Sequence, residues 1–188
     1  PSSRVDGYRF IVNAGTYGYE YNKNRIWERS TAAHSTVQIN EQNSSEVWKS
    51  FRVGRRAMPR GIKINKNKKF VLVNAYHDGY KRLHGKTLHY RSWKWEANEL
   101  TIIDKITGHY YEAIGRFLFH PLISILNDSG NENLLFMLPN KKIIKIDVIN
   151  GVSKLEKTKF SAEFGKQEVS QLLKVNAIDN QIIVKISW

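Results

Sequence analysis

The chain of 188 residues contains no cysteine, which excludes disulfide bridges, thiol catalysis and Cys-ligated zinc and leaves the redox compartment open. No apolar run approaches the length of a membrane-spanning helix, and no basic-then-apolar signal segment opens the chain. Helical periodicity is nearly absent. Acidic residues are scarce in one half. Residues 1–95 hold 19 Lys and Arg against 6 Asp and Glu, which accounts for the whole net charge of +13, whereas residues 96–188 hold 11 of each. The first residue is Pro1 rather than Met, as expected of a processed chain or a piece of a longer protein.

What is present begins with that uneven charge. Such a field raises the local concentration of an anionic partner and speeds its capture. Nucleic acid, an anionic membrane and acidic polysaccharide all remain open on charge alone. The lysines of Lys63-Ile-Asn-Lys66-Asn-Lys68-Lys69 read as a solvated turn. The arginines ask for more. Arg25, Arg29, Arg52, Arg55, Arg56 and Arg91 sit among Trp and Tyr, and a planar guanidinium grips a carboxylate or sulfate through two parallel hydrogen bonds that Lys cannot make.

The length suits one unit, residues 1–188, with a full core. Tyr8-Arg-Phe-Ile-Val, Thr36-Val-Gln-Ile, Phe70-Val-Leu-Val-Asn-Ala, Leu88 to Trp95 and Leu100-Thr-Ile-Ile-Asp combine β-branched or aromatic residues with polar alternation, the pattern of half-buried strands. Asn127-Asp-Ser-Gly130-Asn, Pro139-Asn140, Asn150-Gly151 and Asp179-Asn180 are turn formers, the last two at hairpin spacing. Leu172 to Ile178, Asp179-Asn180 and Gln181 to Ile186 read as a C-terminal hairpin. The expected fold is all-β, a two-layer antiparallel β-sandwich with few or no helices. A weak seam near residue 96 marks the change in charge, but strands continue across it.

The densest chemistry lies in Arg25-Ile-Trp-Glu-Arg29-Ser-Thr31-Ala-Ala-His34-Ser-Thr and in Glu46-Val-Trp48-Lys-Ser-Phe-Arg52-Val-Gly-Arg55-Arg56-Ala. One histidine stands at the start of a predicted strand with arginines and tryptophans on both sides. Together with Gly15-Thr-Tyr17-Gly-Tyr19, His77-Asp-Gly-Tyr80-Lys-Arg-Leu-His-Gly and Leu88-His89-Tyr-Arg91, these segments resemble the C-terminal domain of the heparinase II/III-like polysaccharide lyases. The version looks like that of the members found with bacterial surface-polysaccharide genes. The motifs run in order over residues 4 to 120, and residues 121–188 add strand pattern only.

The resemblance implies an enzyme in two parts, an N-terminal helical toroid that this chain lacks and a β-sandwich that closes over it. The toroid supplies a Tyr and an Asn or His for the proton chemistry. The sandwich supplies a histidine from an Ala-His-Asn-Thr segment, which is His34 here. Ser35 stands where the family usually has Asn, so an orienting amide is missing. The implied reaction removes the C5 proton of a uronic acid and expels the O4-linked sugar, and it needs the carboxylate neutralised. His titrates near neutral pH, so His34 suits either neutralising the carboxylate or shuttling the proton. Arg25, Arg29, Arg52, Arg55, Tyr80 and Arg91 are the expected substrate contacts. Trp27, Trp48, Trp93 and Trp95 are mostly expected in core or interface. No cofactor is required. Some members hold a structural metal, for which His77, Asp78 and His89 are the only local candidates.

The expected partners are an acidic polysaccharide and the protein's own helical domain, with neither nucleic acid nor membrane. A periplasmic or surface-polysaccharide setting follows from the resemblance. The isolated chain is expected to be inactive. A non-catalytic module that binds acidic carbohydrate is the main rival. A nucleic-acid binder fits the charge but shows no recognised binding motif.

Overall fold

The structure, a computed structural model, describes residues 3–127 and 133–188. Two antiparallel sheets face each other across a shared core, as the alternation predicts. The larger has eight strands in the spatial order Ser124–Asn127, Asn133–Met137, Ile143–Asn150, Gln181–Ser187, Glu99–Thr107, Leu88–Glu96, Phe70–His77 and Pro59–Lys66. In the smaller, Val152–Phe160 pairs with Glu168–Asn176, which pairs with Ala113–Phe119. The far side of Ala113–Phe119 takes Val37–Ile39 near one end and Ile11–Val12 near the other.

Side chains alternate across a strand, so every second residue faces the core. Leu100, Ile102 and Ile106 on one strand and Ile182, Val184 and Ile186 on its neighbour meet Ile39, Phe117, Phe119, Leu173 and Val175 of the smaller sheet. Burying each such side chain contributes roughly 1.5–3 kcal/mol. Asp104 occupies the same inward row, between Ile102 and Ile106, and is 0% exposed.

Two turns do other work than expected. Glu168–Asn176 lies in the smaller sheet and Gln181–Ser187 in the larger, so Asp179-Asn180 carries the chain between layers and the expected C-terminal hairpin does not form. Asn150-Gly151 makes the same crossing, from Ile143–Asn150 to Val152–Phe160. Gly151 has φ +128, and a Cβ there would lie 2.4 Å from Val175 Cγ1. Alternation reveals which residues face the core but not from which side they do so. Pro139-Asn140 does join a hairpin, Asn133–Met137 with Ile143–Asn150. Most of the turn expected at 127–131 lies outside the described residues. Lys63 and Lys66 belong to the exposed edge strand Pro59–Lys66, and the turn follows it, where Asn67 Oδ1 accepts from the Lys69 and Phe70 N–H groups.

Among the described residues helix is confined to Lys23–Glu28, whose N-cap Asn22 accepts from the Arg25 N–H at 2.8 Å, and to a 3-10 turn Thr31–Ala33. These two pieces deliver the chain to His34. Among the described residues no helix is long and apolar enough to cross a membrane.

Candidate functional site

His34 follows the 3-10 turn directly. Its N–H donates to the Thr31 carbonyl at 3.1 Å and its carbonyl accepts from Thr36 N–H at 2.9 Å. The ring is half-buried, and among the described residues neither of its nitrogens has a hydrogen-bond partner. Burial pushes its pKa down. The ring borders a cavity of about 360 Å³ whose lining includes Arg29, Thr31, Ser44, Ser45 and Arg56.

The opposite wall is the segment 43–58, which contains only the short hairpin Val47–Trp48 with Arg52–Val53. So little sheet pairing leaves many backbone carbonyls to be satisfied by other means. Arginines satisfy several of them. Arg29 Nη1 donates to the carbonyls of Trp48 at 3.3 Å and Lys49 at 2.7 Å, and Nη2 to that of Arg52 at 3.2 Å. Arg82 holds the other end through the carbonyls of Asn43, Ser44 and Gly79, and reaches Glu46 Oε1 at 3.3 Å. Thr31 ties the two walls together, its N–H donating to Asn43 Oδ1 at 2.7 Å and its Oγ1 accepting from Ser44 N–H at 2.8 Å. Gly79 of the His-Asp-Gly-Tyr motif supports this loop from beneath. A Cβ at that position would lie 2.4 Å from the Ser44 oxygen and 2.6 Å from Ala57 Cβ.

The cavity is cationic. Arg29 and Arg56 both line it, and among the described residues neither has a carboxylate within 4.0 Å. Burial, then the positive charges of Arg25 and Arg56, lower the pKa of Arg29. Arg29 is therefore at once a tie for the hairpin and part of the positive wall. Arg25 is mostly covered: it pairs with Glu28 at 3.5 Å, donates from Nε to the Ser50 carbonyl at 3.2 Å and lies over the rings of Tyr19 and Phe51. Arg52 and Arg55 are exposed on the hairpin but stand outside the cavity lining, which Arg56 joins instead.

Two expected substrate contacts are buried and cannot serve. Tyr80 is 0% exposed and its hydroxyl donates to the Val37 carbonyl at 2.8 Å; burial pushes its pKa up. Arg91 faces inward opposite Asp104, donating from Nε to Oδ1 at 2.6 Å and from Nη2 to Oδ2 at 2.8 Å. Burial alone would raise the Asp104 pKa, but the Arg91 charge and His89 hold it at about 2.

The metal candidates fail a fit test. Asp78 turns away to pair with Arg60 at 2.6 Å. His77 Nδ1 accepts from Gly79 N–H at 3.3 Å, His77 Nε2 meets His89 Nδ1 at 3.0 Å, and His89 Nε2 meets Asp104 Oδ1 at 2.5 Å. The Gly79 donor fixes the tautomers, so the chain runs as donations from His77 to His89 to Asp104. All four ring nitrogens are engaged, and none is left to ligate. Among the described residues no group of three or more His, Asp or Glu is arranged to hold a metal.

The sequence profile of the family described as "Heparinase II/III-like, C-terminal" matches residues 4–187. The chain belongs to this family. A solved structure similar to this heparinase-like domain is the heparan sulfate lyase HepC from Pedobacter heparinus, at 16% identity and a TM-score of 0.79, covering 99% of this chain and 29% of that one. Another is described as heparinase III, the BT4657 gene product, at 17% identity and a TM-score of 0.77, with coverage of 97% and 28%. The heparinase-like chain thus spans under a third of the length of these neighbours, and at such identity the likeness establishes the fold. No curated protein matches it.

Proposed function

We propose that this chain is the sandwich part of a lyase that cleaves uronic-acid-containing polysaccharide by β-elimination. His34 takes part in the proton transfer at a cationic pocket, and an N-terminal helical domain supplies the remaining catalytic groups. The observation that carries this reading is an imidazole that, among the described residues, has no hydrogen-bond partner and shares one cavity with two arginines that no carboxylate pairs, its pKa lowered by burial. The short coverage of neighbours that are heparan sulfate lyases supports the missing part.

The chemistry follows from those groups. Loss of the C5 proton places charge on the uronate carboxylate, the C5–H electron pair becomes the C4–C5 double bond, and the C4–O bond breaks as the leaving oxygen takes a proton. Positive groups preorganised toward the carboxylate stabilise that transition state, by roughly 2.7–4 kcal/mol for a well-placed donor. Arg29 and Arg56 provide the field. A neutral imidazole accepts a proton and returns it, so the depressed pKa of His34 suits the shuttle.

The test is the full-length protein incubated with a panel of uronic-acid polymers, followed by the ultraviolet absorbance of the unsaturated product. His34→Ala is expected to lower turnover by about 10²–10⁴-fold without a change in melting temperature. Full activity in that variant removes the histidine from the reaction. Saturable binding of acidic glycans with no turnover by any polymer in the panel identifies a binding module instead. The isolated chain is expected to be silent.

A further inference from the structure

We infer that the buried Asp104–Arg91 pair is a positioning device for His34, acting through the backbone of Ser35. This rests on the reading of His34 as a reacting group. A catalytic histidine is commonly oriented by a hydrogen bond to its second ring nitrogen, but the ring of His34 has none among the described residues. Its direction is set by the chain on either side.

That chain is held at Ser35 on every polar group it has. The Ser35 N–H donates to Asn13 Oδ1 at 3.2 Å, its hydroxyl donates to the Val12 carbonyl at 2.7 Å and accepts from Leu118 N–H at 3.1 Å. Its carbonyl accepts from Arg91 Nη1 at 2.8 Å. The first three ties lie on the smaller-sheet side. The fourth comes from the larger sheet and joins the two layers one residue from the imidazole.

The network behind that fourth bond is built for rigidity. Asp104 accepts three hydrogen bonds, from His89 Nε2, Arg91 Nε and Arg91 Nη2. Two of them fix one edge of the planar Arg91 fork, Nε and Nη2, which leaves Nη1 pointing at one place. Ile102 and Ile106 flank Asp104 on its strand, and an apolar residue there would avoid the desolvation cost of a buried charge. The fork gives the charge a task that an apolar residue cannot perform. It also gives Ser35 a role in place of the family's Asn: the side chain turns into the core, not toward the ring, and its service is to fix the backbone.

Lysine at position 91 keeps the positive charge and the pairing with Asp104 but lacks the planar fork that fixes Asp104 and the Ser35 carbonyl in one geometry. In full-length protein, Arg91→Lys is expected to lower kcat by about 100-fold, the scale of an ångström-sized misplacement, with KM nearly unchanged. In the same variant, labelled with isotopic histidine, the His34 ring signals, assigned by their loss in His34→Ala, are expected to move, while those of histidines outside the network stay. If Arg91→Lys fails to fold, Asp104→Asn, which preserves side-chain volume and frees the fork, carries the same measurements. Wild-type His34 signals together with wild-type kcat, however much the melting temperature falls, overturn the proposal and leave the pair a structural one. Displaced His34 signals in a protein whose His34→Ala variant is fully active uphold the positioning and remove His34 from the reaction, so the two failures are distinguishable.

Discussion

Replacing His77 by glutamine is expected to flatten the acid side of the protein's stability curve. The ring of His77 lies between the Gly79 N–H and His89. Burial, followed by its basic neighbours His89 and Arg91, lowers its pKa from 6.5 to about 4, against the opposing pull of Asp78 and Asp104. On acidification the unfolded chain takes up this proton first. Stability is therefore fully present above the unfolded value of 6.5 and is lost as the pH falls through the folded value. The gap corresponds to about 3.4 kcal/mol in full, of which about 2.4 kcal/mol disappears between pH 7 and pH 4.5. Burial also lowers the pKa values of His34 and His120, which add losses of the same sign, so the variant must be compared with the wild type rather than read alone. Glutamine keeps an amide donor toward His89 and does not titrate. Urea unfolding at closely spaced pH values gives the free energy of each protein, and the two curves are expected to converge by about 2.4 kcal/mol over that interval. Parallel curves would refute the assignment of a neutral, buried His77.

Two further substitutions probe the support of the pocket. Gly79→Ala places a methyl group 2.4 Å from the Ser44 oxygen, and the overpacking is expected to cost about 1–3 kcal/mol by urea unfolding. Unchanged stability would show that the Ser44 loop yields freely. Arg82→Ala deprives the Asn43, Ser44 and Gly79 carbonyls of their donor. A loss of about 1–3 kcal/mol is expected, with faster amide hydrogen exchange confined to residues around 43–46, and uniform exchange throughout would contradict the local role.

The strands were legible because alternation is a direct imprint of a one-sided core, and the nearness of His34 to Arg29 was legible because both lie in one short segment. The partition of strands between layers was not. Leu173 and Ile182 belong to rows that point at the same interior, and nothing in either row says that they approach it from opposite sides. Arg91 was misplaced for a different reason. Residue type suggested an anion contact, yet Arg91 shares parity with His89 and Trp93, and the strand's other parity holds Tyr90, Ser92 and Lys94. Parity marks the inner face, and the only clue that a charge is affordable there is Asp104, which meets it through strand register that a sequence does not display. Tyr80, expected at the substrate, packs inward, and Arg82 of the same motif, for which no role was expected, ties the loop. Arg56 replaces its neighbour Arg55 at the cavity because the direction of successive side chains in an irregular loop follows from its ties, and those ties are to backbone carbonyls.

The central position of Gln181–Ser187 has a consequence for synthesis. Three strands of the larger sheet lie on one side of it and four on the other. Until that segment leaves the ribosome, the nascent chain carries two open edges, those of Glu99–Thr107 and Ile143–Asn150, each ready to recruit a stray strand from another molecule. Maturation is thus gated by a late-made wedge, and a stalled or prematurely terminated translation product of this chain is an aggregation hazard rather than a smaller, working fold.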